Sequence, residues 1–483
     1  MRSLIKNFFS NATYQIFTIV FPLLTMPYIA RVLGAEQMGI FNYTYAIAIY
    51  FALVVKLGAD HYGNRSIAKV GKDIKDRSEI FWEIFGVQFF NGIICIIAYL
   101  IFVTAFVTEN QTVAYLQVFL IISFALDINW FFYGIEQFNI VILRNTLVKI
   151  FTVACVFLFV KSINDVWIYT IIMNVGSIVG FLITWIQLRK FVEFRAVSIK
   201  KILPHIKPSL VLFIPIVSAS IFTSFTTVLL GQMTNMSNVG FYDAGSKILA
   251  MPKGVIAALG TVMLPKMSAA YANPETKKEA GKYLNVSIIF ASFLAIVFTF
   301  GLISISKDFI PLFYGNDFSA SINVLNILAI YIPFYALGNV IRTQFLIPQA
   351  KDRPFVISVL LGAVASIIVN LILIKPFGVL GAAIGTVSSE VVLAVYQILA
   401  ARKDIKFKKF IEPLVYFTFS GIVMLSVLMF IPFSINSVMI RIVVKIVIGA
   451  VIYCSMTGIY FMKSHNETIE LIRSFIFKKR KNI

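Results

Sequence analysis

Apolar stretches about as long as a bilayer is thick recur from one end of this chain to the other, and very few folds can hold them. Fifty-nine per cent of the 483 residues are hydrophobic and only 13% are charged, against roughly 25% charged in an average soluble domain. A helix needs about 20 apolar residues to cross a ~30 Å hydrocarbon core. In lipid the backbone must also satisfy its own N–H and C=O groups, which a helix does and a loop does not. The sequence therefore reads as an all-α polytopic membrane protein. Spans are expected near 10–33, 39–62, 80–107, 112–136, 142–161, 165–188, 208–232, 240–265, 283–305, 320–347, 354–375, 379–401, 411–431 and 438–462, about fourteen in all. Arg2 and Lys6 precede the first, and no small-residue cleavage site follows a short apolar core, so it reads as a retained span.

The net charge of +20 could point to nucleic acid, but its placement points elsewhere. Lysines and arginines crowd alternate connections: Arg65 to Arg77, Arg189 to Lys207, Lys266 to Lys282, Lys351 and Arg353, Arg402 to Lys409, and the tail Arg473 to Lys481. The opposite connections hold Lys161, Lys307 and Lys375. Such a bias puts the basic side and both termini in the cytoplasm, facing anionic lipid and not nucleic acid. Cys95, Cys155 and Cys454 fall within apolar runs without paired spacing, and the three histidines are scattered, so neither a disulfide framework nor a metal site is expected. No cofactor is expected. Gly240 to Lys247 reads G-F-Y-D-A-G-S-K, close to a phosphate-binding loop, yet its last two residues are in the wrong order and it opens a span. With no nucleotide site, catalytic triad or metal box, the chain does not read as an enzyme.

The hairpin from Phe21 to Gly63 sets the organisation. Gly34 closes one span and Gly39-Ile40-Phe41 opens the next; later Leu229-Leu230-Gly231 closes a span and Gly240-Phe241-Tyr242 opens another. The offset that pairs Gly39 with Gly240 also pairs Arg65 with Lys266 and Arg77 with Lys278. Two six-helix bundles, residues 1–200 and 201–409, are expected to enter the membrane in the same direction and to be related by a pseudo-two-fold along its normal, with substrate between them. Residues 410–483 would add two helices and a basic cytoplasmic tail.

Charges remain inside the spans: the cations Arg31, Lys56, Lys247, Lys253, Arg342, Arg441 and Lys445, and the acids Asp60, Asp127, Asp243 and Glu390. Each costs about 2.5–3.5 kcal/mol at a helix centre, so each needs a role. Long side chains near a span end can snorkel to the headgroups. That reading suits Arg441 and Lys445, and for Arg31 it stands level with a cavity role. Lys56 precedes Asp60, and Asp243 precedes Lys247, at the four-residue spacing of a helical ion pair. Lys253 and Arg342 have no acid at helical spacing and are expected to face a water-filled cavity. Asp127 and Glu390 are either structural partners of these cations or coupling sites for protons or sodium. Cations outnumber acids, which suits an anion, with phosphate the first expected.

The segment Pro27-Tyr28-Ile29-Ala30-Arg31-Val32-Leu33-Gly34 through Gly39-Ile40-Phe41 resembles the opening of bacterial O-antigen and capsule repeat-unit flippases of the multidrug/oligosaccharidyl-lipid/polysaccharide exporter superfamily. Phe132-Tyr133-Gly134-Ile135-Glu136, Gly240-Phe241-Tyr242 with Lys247, and Gln349-Ala350-Lys351-Asp352-Arg353-Pro354 extend the likeness over the whole chain. The resemblance implies a bacterial inner-membrane transporter that carries undecaprenyl-pyrophosphate-linked oligosaccharide from the inner to the outer leaflet by alternating access. It implies a polysaccharide polymerase complex as partner beside membrane lipids. Arg31, Lys247, Lys253 and Arg342 become candidate head-group contacts, with Lys56 as a further substrate-binding cation. Asp60 and Asp127 become the nearest analogues of coupling acids, and sodium, protons or the membrane potential are open as the drive.

Three rival functions are set against this. A cation-coupled drug exporter of the same superfamily requires an acid-dominated cavity. A glycosyltransferase or polymerase needs large extramembrane loops, whereas the longest here, near 62–79 and 189–207, are short and basic. A non-transporting assembly scaffold gives no use to the buried charges.

Overall fold

Helices form every regular element among the described residues of the computed structural model. Those residues are 2–70, 73–220, 224–273, 275–431, 435–464, 466 and 468–470, with side chains from Leu24 onward except at 214, 215, 218 and 219. The expected basic tail, Arg473 to Lys481, lies outside them, as do Lys72 and the side chains of Arg2 and Lys6. The chain divides into two compact units, Met1–Gly240 and Phe241–Ile483.

The first unit holds α1 (Arg2–Lys56), α2 (Ala59–Val70), α3 (Ile74–Phe106), α4 (Gln111–Leu116), α5 (Val118–Leu126), α6 (Asn129–Gly134), α7 (Phe138–Phe159), α8 (Val166–Leu188), α9 (Ile199–Ile202), α10 (Ile206–Ser220) and α11 (Thr226–Met233). The second is built from most of α12 (Met236–Ala272), then α13 (Lys277–Tyr314), α14 (Ala320–Ala329), α15 (Tyr331–Ile341), α16 (Asp352–Phe377), α17 (Val379–Ala401), α18 (Lys408–Phe430) and α19 (Val438–Lys463).

Twelve helical stretches among the described residues are long and apolar enough to cross a membrane. One of them, Leu24–Val70, has 47 residues. At 1.5 Å per residue that is about 70 Å, more than twice the hydrocarbon thickness. It contains the end of the first expected span and the whole of the second, and leaves helical geometry between them, at Gly34 (φ 74°, ψ 176°). Parts of the expected span at 208–232 lie in α10 and α11, and residues 221–223 of it fall outside the described residues. The outward faces carry large apolar side chains, among them Phe89, Ile94, Phe151 and Leu158 in the first unit and Leu371, Val415 and Met439 in the second. Lipid tails, which are as apolar as leucine, are their natural surroundings.

The two glycines paired by the internal repeat meet backbone atoms at very close range. A Cβ on Gly39 would stand 1.7 Å from the Met236 carbonyl oxygen, and one on Gly240 would stand 2.0 Å from that of Ala35. Both copies of the hairpin start their second span with glycine because the packing leaves no room for a side chain.

Regular helix stops at the positions that matter for charge. After Lys56, Leu57 (φ 45°) and Gly58 (φ 81°) break α1 from α2. Asp127 ends α5 in extended geometry (ψ 107°). Arg342 opens a π-helical turn, Arg342–Leu346, at the end of α15. Such breaks free backbone groups that lipid cannot satisfy. At the α5–α6 break Gln88 of α3 does so: its amide donates to the carbonyls of Phe124, Ala125 and Asp127 at 2.9, 3.1 and 2.9 Å. Its own oxygen accepts from Trp130 Nε1 at 3.1 Å. Around this joint Phe81, Trp130, Phe131 and Phe132 are fully buried and form the aromatic core of the unit.

Candidate functional site

In the first unit two carboxylates converge on Lys56. Its ammonium stands 2.5 Å from Asp60 Oδ1 and 2.6 Å from Asp127 Oδ2. The side chains of Lys56 and Asp127 are 8% and 10% exposed, whereas Asp60 is 44% exposed. The pair at four-residue spacing is present, but it bridges the α1–α2 break and does not lie along one continuous helix. The second acid, Asp127, is 71 residues away and is brought in by the end of α5. Its other oxygen accepts from the Asn129 backbone N–H at 2.9 Å, which fixes the carboxylate at the start of α6. Lys56 also lies 5.6 Å from the Phe124 ring centroid. Two carboxylates on one ammonium leave this cluster with one negative charge in excess, and Asp60 is the member that water can reach.

In the second unit Lys253, Arg342 and Glu390 gather around two tyrosines. The Lys253 ammonium sits 4.9 Å from the Tyr331 ring centroid and 5.2 Å from that of Tyr335. Glu390, from α17, is 5% exposed. It accepts a hydrogen bond from the Tyr331 hydroxyl and interacts electrostatically with both Arg342 and Lys253. Gly338 brings α15 close: a Cβ there would stand 3.7 Å from Glu390 Oε1. Arg342 faces the Phe355 ring at 5.9 Å. Two cations share one carboxylate, so this cluster carries one positive charge in excess. The stacked tyrosine faces (centroids 5.7 Å apart) hold the lysine by cation–π attraction, which strengthens as water is removed.

The other intramembrane charges are placed as follows. Lys247 pairs with Asp243 at 2.6 Å. Arg31 is exposed on α1, three residues before the Gly34 break. Arg441 and Lys445, expected to snorkel, instead hold Asp308 of α13 from α19, at 2.8 and 2.6 Å. Arg144, a further cation, is 5% exposed within α7. It donates to Asn129 Oδ1 at 2.5 Å and packs 4.6 Å from the Phe181 ring. Sequence reasoning did not single out Gln88, Tyr331, Tyr335 or Asp308. Tyr331 and Tyr335 share the four-residue spacing of one helix face, a signal that could have flagged them. The other two have none.

Among the described residues no group of three or more histidine, cysteine or acidic side chains is arranged to hold a metal ion. Chemically, the first cluster can exchange a small cation or proton against a lysine. The second can hold an anion.

A family described as polysaccharide biosynthesis protein matches residues 4–271. Two relatives, each named "Putative O-antigen transporter", are 22% identical to this chain. That of Shigella dysenteriae aligns over 390 residues, 79% of this chain and 96% of its own. That of Escherichia coli K12 aligns over 412, 83% and 97%. Among solved structures, the lipid II flippase MurJ in an inward closed conformation superposes with a TM-score of 0.79 at 18% identity, over 93% of this chain and 98% of its own. The shared fold is that of a multi-pass helical membrane protein.

Proposed function

We propose, for a chain that belongs to the polysaccharide biosynthesis protein family, that it is a flippase whose substrate is a lipid-linked oligosaccharide. The finer reading is an undecaprenyl-pyrophosphate-linked repeat unit, moved from the inner to the outer leaflet by alternating access to supply surface polysaccharide. The names of the relatives support the class of substrate. The observation that carries the reading is the cluster of Lys253 and Arg342 around one carboxylate and two tyrosine faces. An arginine fork and a lysine point charge are the donors a pyrophosphate takes. Arg31, Lys56 and Lys247 are the further cations we assign to the head group's route.

The physics asks for such a route. A sugar-pyrophosphate cannot enter hydrocarbon unaided, because an unpaired charge there costs many kcal/mol. With the cell interior negative, each negative charge moved outward gains about 2.3 kcal/mol per 100 mV, less whatever protein cations move with it. Alternating access would act on the two repeats, 1–200 and 201–409, with 410–483 appended. We read the membrane as the bacterial inner membrane, both termini as cytoplasmic, and a polysaccharide polymerase complex as the receiving partner.

The Lys56–Asp60–Asp127 cluster favours a second element, coupling to sodium or protons. One acid is buried and held, one is open to water, and their sum is negative.

The test is on lipid extracts of cells depleted of the protein. Lipid-linked oligosaccharide should accumulate while surface polysaccharide disappears, and the mass of the lipid names the sugar unit. No accumulation, with new sensitivity to cationic dyes, would replace this reading with drug export.

A further inference from the structure

We infer that the second unit carries a second anion site, separate from the Lys253–Arg342 cluster, that takes a phosphate group. It is a cavity of about 330 Å³ walled by Lys277, Lys406 and Lys409 and floored by Leu284, Phe345 and Ile405. That volume falls at the lower end of the range for small-ligand sites.

The walls come from two places in the chain. Lys277, Gly281, Leu284 and Asn285 form one stripe of α13, at the helical offsets of four, seven and eight residues. Lys406 and Lys409 come from the connection into α18 and its first turn. The stripe is hollow at its centre, because a Cβ on Gly281 would meet nothing within 4 Å. Below it the floor is closed, with Phe345 and Ile405 only 3% and 5% exposed.

Three lysines and one carboxylate line the cavity. Asp404 is the carboxylate among the lining residues, and Lys351 already holds it at 2.9 Å. Lys277, at the start of α13, adds the positive end of that helix. The Thr276 side chain does not cap it, because its hydroxyl is spent on the carbonyls of Ala270 and Asn273 at 3.0 and 3.2 Å. Lysines, an uncapped helix start and a closed apolar floor are the setting in which a phosphate is bound by charge while its substituent rests on carbon. Phe345 belongs to the π-helical turn that Arg342 opens, so an occupant would press on the same turn that carries Arg342. Turns of this kind are a common mark of functional positions.

The phosphate can come from an anionic lipid headgroup or from a soluble phosphate compound, and the experiment separates them. Purified full-length protein is titrated in neutral detergent with dioleoyl-phosphatidylglycerol, dioleoyl-phosphatidylcholine and inorganic phosphate, with bound molecules counted by native mass spectrometry. The K277Q/K406Q/K409Q variant should bind the anionic probe about a hundredfold more weakly, three lysines' worth of headgroup attraction. An R402Q/K403Q variant, losing basic residues next to the cavity but not in it, should bind as wild type does. Gly281→Leu, which fills the hollow without touching charge, should also lose the occupant. Binding of phosphatidylglycerol alone identifies a headgroup site, and competition by inorganic phosphate identifies a soluble one. Wild-type binding by either the triple variant or Gly281→Leu, or no anion bound by wild type, would overturn the inference. None of these outcomes depends on the flippase reading.

Discussion

The three charges around Lys56 are unequal, and removing them one at a time should show it. Lys56 and Asp127 are a buried pair at 2.6 Å, whereas Asp60 reaches the same ammonium at 2.5 Å from a side chain that is 44% exposed. Breaking a buried pair by removing one partner typically costs about 3–5 kcal/mol, because the other charge is left uncompensated. An exposed pair is worth about 0–1 kcal/mol. Asp127→Asn should therefore cost about 3 kcal/mol or more, and Asp60→Asn about 1 or less. The asparagine keeps an oxygen for the Asn129 N–H, so the α5–α6 joint is preserved and the loss reports charge. The double variant Lys56→Met, Asp127→Asn removes both charges together. It should regain much of the loss, since apolar replacement of a buried pair is often neutral or better.

Thermal unfolding of the purified protein, followed by tryptophan fluorescence, measures this ordering. Trp130 is a suitable reporter because it bonds Gln88, which in turn binds the Asp127 carbonyl. The reasoning fails if Asp60→Asn is as damaging as Asp127→Asn, or if the double variant melts no higher than the worse single one.

Other outcomes follow from the same geometry. Lys253→Ala and Arg342→Ala should each abolish export while the protein stays in the membrane; normal surface polysaccharide in both strains would mean the head group binds elsewhere. Glu390→Gln keeps an acceptor for the Tyr331 hydroxyl and should export nearly normally if Glu390 only balances charge, whereas full loss at normal expression would make it a coupling residue. Gly240→Ala pushes a methyl to within 2.0 Å of a carbonyl oxygen and should cost at least the 1–3 kcal/mol typical of overpacking, read as a lower melting temperature. Asp308→Asn leaves Arg441 and Lys445 facing each other without their acid. It should loosen α19 from α13, seen as faster proteolysis near residue 440.

Composition and the positions of basic residues made the helical membrane fold legible, because a bilayer accepts so few backbones. The glycine pair was legible for a similar reason: backbone contact leaves one residue type, and it recurs in both copies of the hairpin. Ion pairs at four-residue spacing could be read from that spacing alone, Lys247–Asp243 within one helix and Lys56–Asp60 across the α1–α2 break. What could not be read was every partner supplied by a helix distant in the chain. Asp127 lies 71 residues from Lys56, and Glu390 reaches Lys253 and Arg342 from α17. Arg441 and Lys445 looked like headgroup anchors because their acid sits in α13, more than a hundred residues earlier. Spacing encodes neighbours along one helix, while contacts between helices depend on helix rotation, which an apolar sequence with polar breaks leaves open.

The pairing also sorts the charges into a pattern that sequence alone could not give. Lys56 is outnumbered by its acids, Lys247 is matched, and Lys253 with Arg342 outnumber theirs. The Lys56 cluster thus holds a negative surplus and the Lys253–Arg342 cluster a positive one. A cation that drives transport and an anionic head group that is transported would then be bound in different units, each by the sign of charge that suits it. This division makes a separable prediction. Asp127→Asn should change how export depends on sodium or pH while leaving the head-group affinity of the second unit intact. Lys253→Ala should weaken head-group binding without altering the ion dependence of what export remains. Binding of a lipid pyrophosphate to purified variants, set beside export measured at varied sodium and pH, distinguishes the two. If Asp127→Asn weakened lipid-pyrophosphate binding as much as Lys253→Ala does, both clusters would serve one substrate and the division of labour would be wrong.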